Sequence, residues 1–343
     1  MVGHLLFRGM NDMKTLPLAM ACLLGSATAL AAPPKAHSQT IAAARPLPCQ
    51  ARAPERSNYP QGTLLWGSAR QSSEDEMSGV LTSVKLEGLH LEGGRLVASS
   101  RGAKGLKGAT LQGAASNGQS VDVAICAGPT AGEELPWYRI EVWNAERASW
   151  ENPCIATQRA PQPRALAVPG VWDSKGARQD TPDRFTFACE NGAIAKCVTW
   201  GYAPWESRGG QSLAGLHQAC TRMARADYCG DGRSHTHEDN LIDMYDSLGV
   251  QRRTTEATPR WRPEHASFEA AWGPEGAACL ARSREGRSPK LVLDSCPERF
   301  EPAKVELGDG DTCALRRKGT RAEAALLRNR SYEPGLHASA PRP

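Results

Sequence analysis

The stretch ARADYCGDGRSHTHEDNLIDMYD, residues 224–246, joins the clearest helical pattern of the chain to a short alternating run. Before it, apolar residues recur at helical spacing from residue 213 to residue 224, and Ser212 stands where an N-cap is expected. After it, residues 241–245 are typical of a strand. We therefore interpret the stretch as the turn that fastens a helix to a sheet, with a ligand site as the alternative.

The beginning of the chain has the pattern of a removable export signal. A short positive segment ends at Lys14, residues 16–30 are apolar, and Ala29-Leu30-Ala31 forms a small-x-small cleavage site. The sequence thus predicts a signal peptide over residues 1–31 and an exported protein, periplasmic or secreted. A lipoprotein anchored through Cys22 is the alternative, but the apolar run continues past that cysteine. No later apolar stretch is long enough to predict a membrane-spanning helix.

Removal of the leader leaves an even number of cysteines. In an exported chain an even count indicates disulfides, and the absence of any C-x-x-C pair argues against a zinc ribbon or a thioredoxin-like site. The spacing leaves the connectivity open, because so many pairings are possible. The ten candidates are Cys49, Cys126, Cys154, Cys189, Cys197, Cys220, Cys229, Cys279, Cys296 and Cys313.

Length and charge limit the classes of partner. The chain has 343 residues, of which 40% are hydrophobic, enough for two ordinary cores. Lysine and arginine number 41 against 37 acidic residues, so the balance implies no basic field for nucleic acid. We expect two domains and no nucleic-acid partner.

The first half of the mature chain is predicted to be β-rich. Residues 32–61 are rich in Pro and Ala and are predicted to be a disordered lead-in. Residues 62–157 contain short alternating runs punctuated by Gly, and at 121–126 and 138–143 one face is apolar and the other polar. That alternation predicts an antiparallel sheet with one covered face. Further strands are predicted at residues 63–66, 80–86 and 96–99.

The second half is predicted to combine helices and strands. Residues 165–331 form the expected cysteine-rich domain, residues 332–343 a disordered tail, and helical spacing predicts a further helix over 194–202. The predicted fold class is therefore α+β, an N-terminal antiparallel β-rich domain followed by a disulfide-rich α+β domain. The remaining predicted elements are strands within residues 267–284 and at 291–293, joined by a turn at 285–288, and a short helix at 324–327 after a capping box of Thr320 and Glu323.

Several phrases of the second half resemble a known family. ALAVPGVWD, FTFACENGAIAKCVTWGYAPW, the tetrapeptide Ala226-Asp227-Tyr228-Cys229, GDGRSHTHEDNLIDMYD and FEAAWGPEGAACL together are similar to the ADYC-domain proteins of bacteria. The resemblance is specific over residues 165–296 and looser over the preceding strands. It implies an exported, cysteine-containing protein, and it implies no activity.

A calcium loop is one hypothesis for the turn. Asp227, Asp231, Gly232 and Glu238 occupy positions 1, 5, 6 and 12 of the calcium-loop template. Position 3 is Cys229, which supplies no hard oxygen, and the residues that follow predict a strand where the template requires a helix. The alternative is an ordinary turn in which Asp side chains accept hydrogen bonds from nearby backbone N–H groups.

Zinc is a second hypothesis for the same segment. The pattern His235-x-His237-x-Asp239 matches the core of metallo-hydrolase sites, where imidazoles and a carboxylate hold Zn²⁺ and lower the pKa of its bound water. Asn240 stands where a further His would be needed. The alternative is a solvated polar loop, so no cofactor is predicted, with calcium or zinc as the exceptions to test.

Two other patterns have a simpler explanation. Ser212 lies in a sequence similar to a nucleophile elbow, but the preceding residues are a poor strand and an N-cap explains the same serine. Trp200, Tyr202 and Trp205 could form a stacking platform for a ligand, although clustered aromatic rings also fill cores.

The sequence as a whole favours a binding or structural role at or beyond the cell envelope, with partners unknown. A metal-assisted hydrolase using residues 235–239 and a calcium-binding module over residues 227–238 are the competing hypotheses. No residue is assigned a catalytic role, and an enzyme is not favoured.

Overall fold

The structure is a computed structural model that describes residues 45–51, 63–68, 80–99, 106–157, 160–237, 240–284, 286, 288–322 and 325–332. The described residues all belong to one compact unit, Arg45–Pro343. The predicted signal peptide, Cys22 and residues 333–343 of the predicted tail lie outside the described residues; Tyr332, the first residue of that tail, is instead the buried last residue of a strand.

The first sheet is antiparallel and closes on itself. Its strand order is β5-β4-β1-β11-β8-β6-β7, and β6 also pairs with β5, so six strands form a ring that β7 extends. Strands β2 and β3 form a separate hairpin between β1 and β4 in the chain. The strands are β1 Leu81–Lys85, β2 Leu89–Glu92, β3 Arg95–Ala98, β4 Thr110–Ala115, β5 Ser120–Ala127, β6 Trp137–Asn144, β7 Ser149–Glu151, β8 Ala165–Pro169, β9 Val171–Trp172, β10 Arg178–Gln179 and β11 Arg184–Cys189.

Alternation of apolar residues builds this sheet. Val123 pairs with Val142 and Ile125 with Ile140 across β5 and β6, and both β5 residues are fully buried. The strands predicted at 121–126 and 138–143 are therefore confirmed, as are those at 80–86 and 96–99. Strands β8 and β11 come from beyond residue 157, yet they lie in the middle of the same sheet. The sheet thus runs across the boundary predicted between residues 157 and 165, and the domain bounds stay predictions.

The second sheet is also antiparallel, in the order β14-β19-β15-β16-β18-β17. Helix α2 packs on it, and its residues Leu216, Cys220 and Met223 share a buried cluster with Trp272 and Leu280 of the sheet. The elements are α1 Ala193–Thr199, β12 Ser207–Arg208, β13 Gln211–Ser212, α2 Ala214–Arg225, β14 Ile242–Asp246, β15 Ala266–Gly273, β16 Gly276–Leu280, α3 Pro289–Ser295, β17 Phe300–Glu306, β18 Thr312–Arg317 and β19 Leu327–Tyr332.

The two predicted helices and the strand after the turn are confirmed. Helix α2 begins one residue later than expected, at Ala214, because Leu213 is the N-cap; Ser212 nevertheless accepts a hydrogen bond from the Ala214 N–H through its Oγ (3.2 Å). Strand β14, at Ile242–Asp246, follows the turn as predicted. The two helices pack against each other and are joined by the disulfide between Cys197 and Cys220.

Other predicted elements are wrong. Residues 291–293 belong to helix α3, which Ser288 caps and Pro289 begins, because a short apolar run fits a helix as well as a strand. The strands expected within residues 267–284 do form, as β15 and β16, but their turn lies at Pro274 and Glu275 and β15 begins one residue earlier, at Ala266. Residues 63–66 form no strand, although Ser68 bridges Cys154.

The end of the chain also differs from the prediction. Leu327 begins strand β19, which pairs with both β14 and β15, and no helix forms in the described part of residues 324–327. The fold is mostly β, with 39% strand and 12% helix. The β-rich, disulfide-bonded character is confirmed, whereas the helical content does not confirm an α+β class.

Five disulfides join the ten cysteines of the predicted mature chain, which confirms the disulfide bonding that the even count indicates. Two lie in or beside the first sheet, one joins the helices, and two hold the second sheet. No helix among the described residues is long and apolar enough to cross a membrane. The pairs are Cys49–Cys126, Cys154–Cys189, Cys197–Cys220, Cys229–Cys296 and Cys279–Cys313.

Candidate functional site

The tetrapeptide at residues 226–229 begins where helix α2 ends. Ala226 adopts the left-handed conformation (φ 50°, ψ 40°), which turns the chain away from the helix axis. The N–H of Asp227 then donates to the Arg222 carbonyl (2.9 Å), which satisfies one of the last carbonyls of the helix. The backbone of Ala226 therefore aims the next three side chains into the protein.

The Asp227 carboxylate organises the turn that follows. Its oxygens accept hydrogen bonds from the N–H groups of Gly230 (2.8 Å), Asp231 (3.1 Å) and Gly232 (3.0 Å). Arg222, one turn back on α2, donates to the same carboxylate at 2.5 Å, and both side chains are almost fully buried. Asp227 is thus an internal acceptor for the turn and a counter-ion for a buried arginine.

Glycines allow this turn to pack tightly between two other loops. Gly230 has φ 70°, and a Cβ there would lie 1.9 Å from the Glu275 carbonyl oxygen. Gly232 has φ 89°, and a Cβ there would lie 2.7 Å from the Ser174 carbonyl oxygen. Both positions therefore require glycine for conformation and for space. The turn joins loops that belong to different sheets.

Tyr228 is the centre of a buried polar network. Its ring stacks on Trp272, with the ring centres 5.2 Å apart, and its hydroxyl donates to Glu269 (3.0 Å) and accepts from the Arg284 N–H (2.7 Å). Arg284 and Glu269 form a two-pronged ion pair at 3.0 and 3.1 Å. Burial raises the pKa of the Tyr228 hydroxyl well above its ordinary value, and the Glu269 charge adds to that effect. Burial alone would raise the pKa of Glu269, but Arg284 outweighs it and holds that pKa below its ordinary value.

Arg284 extends the network to the helix end. Its guanidinium donates to the carbonyl oxygens of Met223 (2.7 Å) and Ala224 (3.2 Å) and to the hydroxyl of Thr236 (3.0 Å). Cys229 completes the connections through its disulfide with Cys296, just after helix α3. The helix end, the turn and the second sheet are therefore linked by one set of internal contacts.

The predicted metal ligands that the structure describes are Asp227, Asp231, His235 and His237. The His235 ring lies 5.9 Å from the Tyr228 ring, and His237 is exposed. Asp231 accepts from the N–H of Arg233 (3.1 Å). Glu238 and Asp239 lie outside the described residues. Within the described ranges, no three His, Cys, Asp or Glu side chains are close enough together to hold a metal ion. Calcium or zinc binding stays a prediction.

The three predicted platform aromatics do not lie on one surface. Tyr202 is fully buried and its hydroxyl donates to Asp246 (3.0 Å). Trp200 packs against the cluster around helix α2, whereas Trp205 packs against a different cluster, together with Leu135. Tyr202 in particular offers no exposed ring for stacking.

Sequence reasoning missed a second polar assembly, formed by residues 45–51, which we call the strap. These residues lie in the predicted disordered lead-in, yet Cys49 is bonded to Cys126 of strand β5. The buried Glu141 carboxylate accepts from the N–H groups of Cys49 (2.5 Å) and Ala51 (2.9 Å), and Arg139 donates to the Cys49 carbonyl (3.0 Å). Cys49 itself was the available signal, because a cysteine in a disulfide cannot lie in a free segment.

Arg45, the first residue of the strap, packs against two tryptophan rings and a carboxylate. The Arg45 guanidinium lies 4.0 Å from the centre of the Trp143 ring and 4.5 Å from that of Trp150. It also donates to the Asp122 carboxylate at 2.5 Å. The Trp150 indole N–H donates to the Pro46 carbonyl (2.9 Å). We call Trp143, Trp150 and Asp122 the cage.

Comparison with known proteins gives one match. A family model described as the ADYC domain matches residues 103–286, which is more than half of the chain and includes the turn and most of its network. No curated protein and no solved structure matches the chain at a significant level.

Proposed function

Since the chain belongs to the ADYC domain family, we propose that it is an exported binding module whose ADYC tetrapeptide is the structural hub of the domain. The role of the tetrapeptide in packing is the observation that carries the proposal. Asp227, Tyr228 and Cys229 are each engaged inside the protein, by hydrogen bonds, stacking and a disulfide, and all three are buried. A group that is buried and already hydrogen-bonded is poorly placed to contact a substrate.

The cysteines support the proposed location. Disulfides form and persist in oxidising compartments and are rare in the cytosol, and this chain contains five. The export signal predicted over residues 1–31 has the same implication. A periplasmic or secreted protein accounts for both features, and the resemblance to bacterial exported proteins agrees with it.

The disulfides also support a binding role. Each disulfide typically stabilises a fold by about 2–4 kcal/mol, mainly by restricting the unfolded chain. A scaffold fastened at five points holds its surface loops in fixed positions, which lowers the entropy lost when a partner binds. Rigid presentation of a surface is useful to a binding module even where no catalytic group is present.

Export and oxidation can be measured in one preparation of the full chain. We expect the mature protein in the periplasm or medium, with a mass that shows loss of the leader, no alkylated cysteine before reduction and ten alkylated cysteines after reduction. Leader removal and alkylation would be read from the intact mass. Full-length protein retained in the cytoplasm with several reactive thiols would contradict the proposal.

A metal-assisted role is the competing proposal, and metal measurements separate it from the binding module. For the binding module we expect the melting temperature to be the same in chelator and in millimolar calcium, because the Asp227 carboxylate already accepts from Arg222 and three N–H groups. We expect the purified protein to contain less than one zinc per chain. Stoichiometric zinc that is lost in His235→Ala, or a calcium-dependent rise in melting temperature that is lost in Glu238→Gln, would favour the metal site. Ser234→Ala serves as the control for changes in the same loop.

A further inference from the structure

The cage has the components of a site for a planar cation. Trp143 and Trp150 are partners across strands β6 and β7, and their rings lie edge to face, with centres 5.6 Å apart and planes at 65°. Their faces supply negative potential to a cation, and Asp122 supplies a full negative charge at the same place. Gln112 donates to the other oxygen of Asp122 (2.5 Å), which fixes the orientation of the carboxylate. The Arg45 hydrogen bond, with help from Gln112, holds the pKa of Asp122 below its ordinary value.

This combination favours guanidinium over ammonium. A guanidinium is flat, stacks on aromatic rings and donates hydrogen bonds from its edge, so it can contact two indoles and a carboxylate at once. A lysine ammonium is compact and strongly hydrated, and it loses more hydration when it enters such a site. The cage therefore discriminates between the two cations by shape as well as by charge.

Residues 45–48 of the strap, which include Arg45 in the cage, are held to the sheet without a covalent bond, whereas Cys49 is held by a disulfide. Cys49 is held by the disulfide, by Glu141 and by Arg139, and it adopts φ 78°, which a non-glycine residue keeps only when its surroundings hold it. Residues 45–48 precede these attachments. Among the described residues, their polar and cation–π contacts to the sheet are those of Arg45 and the hydrogen bond to the Pro46 carbonyl. Residues 45–48 can therefore leave the sheet while the disulfide stays intact.

The exposure of the Arg45 and Leu47 side chains is consistent with a segment that can leave the cage. The Arg45 side chain is 39% exposed although it stacks on two rings. Leu47, two residues later, is 75% exposed, and it is the one large hydrophobic side chain that the described residues leave exposed. Scattered exposed hydrophobic residues are ordinary, but this one stands on the segment that covers the cage.

We propose that the cage is a binding site for the arginine side chain of a partner peptide, and that Arg45 occupies it in cis until the partner displaces residues 45–48. The proposal rests on the binding function proposed above and names its ligand class. Arg45 acts as an internal competitor, because a short tether gives it an effective concentration in the millimolar range. An external arginine must exceed that concentration or gain further contacts from neighbouring residues of its own chain.

The test uses the full mature chain and a defined probe. The probe is acetyl-ARPL-amide, which repeats residues 44–47, and its partner probe has Lys in place of Arg. Binding is followed by tryptophan fluorescence and by titration calorimetry. We expect Arg45→Ala to bind the Arg probe at least tenfold more tightly than it binds the Lys probe, and at least tenfold more tightly than the unchanged protein binds the Arg probe.

Two controls separate the cage from general charge effects. Asp122→Asn added to Arg45→Ala should weaken binding of the Arg probe at least tenfold. Arg147→Ala removes an exposed arginine that pairs with Glu151 on the same hairpin (3.2 Å), and it should leave binding at the level of the unchanged protein. Arg45→Gln, which keeps a longer side chain, is measured beside Arg45→Ala so that the result does not depend on one variant.

Three outcomes would overturn the inference. They are no binding of the Arg probe by either Arg45 variant at millimolar concentration, equal binding of the Arg and Lys probes, and binding unaffected by Asp122→Asn. Each of them leaves the proposed export and disulfide bonding intact, since those are measured by mass and location. Conversely, retention of reduced protein in the cytoplasm would contradict the proposed function and leave the peptide measurement valid.

Discussion

Asp227→Asn is expected to lower the free energy of unfolding by about 3–5 kcal/mol, since removal of one partner of a buried ion pair leaves the other charge unpaired. Arg222 would be that charge: it lies 2.5 Å from the carboxylate and is almost fully buried. The asparagine keeps one oxygen for the turn but loses the charge, so the N–H groups of Gly230–Gly232 are also less well satisfied. Urea unfolding followed by circular dichroism would measure the change. Total stabilities of about 5–15 kcal/mol make this a severe loss.

Asp231→Asn is the matched control for that experiment. Asp231 lies in the same turn, but the cation nearest its carboxylate is the exposed Arg233, at 3.7 Å. Exposed pairs contribute about 0–1 kcal/mol, so we expect a change within that range. Arg222→Met combined with Asp227→Asn should cost less than the sum of the single changes, because neither charge remains. Equal losses in Asp227→Asn and Asp231→Asn would show that the buried pair does not stabilise the hub.

Acidification is expected to destabilise the protein through His217, which is fully buried in helix α2. Its Nε2–H donates to the Ile194 carbonyl (3.0 Å), its ring packs edge-on to Trp172, and its Nδ1 has no hydrogen-bond partner among the described residues. Burial lowers the pKa of His217 to about 3, with a small contribution from Arg178. The neutral imidazole is thus the form that the fold accommodates.

The sign of the effect follows from proton linkage. Between the ordinary pKa of about 6.5 and the folded pKa of about 3, the unfolded chain binds a proton at His217 and the folded chain does not. The stability from the neutral histidine is therefore fully present above pH 6.5 and is lost as the pH falls toward 3. At about 1.4 kcal/mol per pH unit, the loss over this window is about 5 kcal/mol.

His217→Gln isolates this contribution from the protonation of carboxylates. Glutamine can donate to the Ile194 carbonyl but does not titrate, so the variant should lose less stability between pH 6.5 and pH 4 than the unchanged protein. Urea unfolding at half-unit pH intervals would give both curves. His90→Gln, at an exposed histidine paired with Glu92 (2.8 Å), should leave the curve unchanged. Parallel curves for His217→Gln and the unchanged protein would contradict the assignment.

The elements that sequence predicted well are those decided by neighbouring residues. Apolar and polar residues alternate at 121–126 and 138–143, and helix α2 shows an apolar stripe within twelve residues. The spacing of the apolar residues is therefore enough to identify each element. The arrangement of the first sheet depends instead on pairing between residues about 100 positions apart, such as Val84 with Phe185. No local pattern carries that information. The closure of the sheet was therefore unpredictable from periodicity.

In the candidate sites, too, features set by neighbouring residues were predictable and features set by distant residues were not. The segment that contains residues 226–232 was identified as a helix-to-sheet connection, and a turn in which Asp accepts from local N–H groups was the stated alternative to a calcium loop. The pairing of Asp227 with Arg222 could not have been inferred from spacing, because the two residues lie five positions apart across the helix end, beyond the three or four at which helical side chains meet. The cage could not have been predicted from the sequence either, because it depends on the Cys49–Cys126 disulfide, and cysteine spacing leaves the connectivity open.

The order of the disulfides along the chain has a consequence for the export proposed above. An exported chain emerges N-terminus first, and the first six cysteines of the predicted mature chain pair in the order in which they appear, each with the next one. The last four do not: Cys229 joins Cys296 across Cys279, which waits for Cys313. Oxidation in order of emergence would thus link Cys229 to Cys279, and thiol–disulfide exchange would have to correct it. For the export proposed above, we expect the segment after the ADYC turn to be the part of this protein whose disulfides need such exchange.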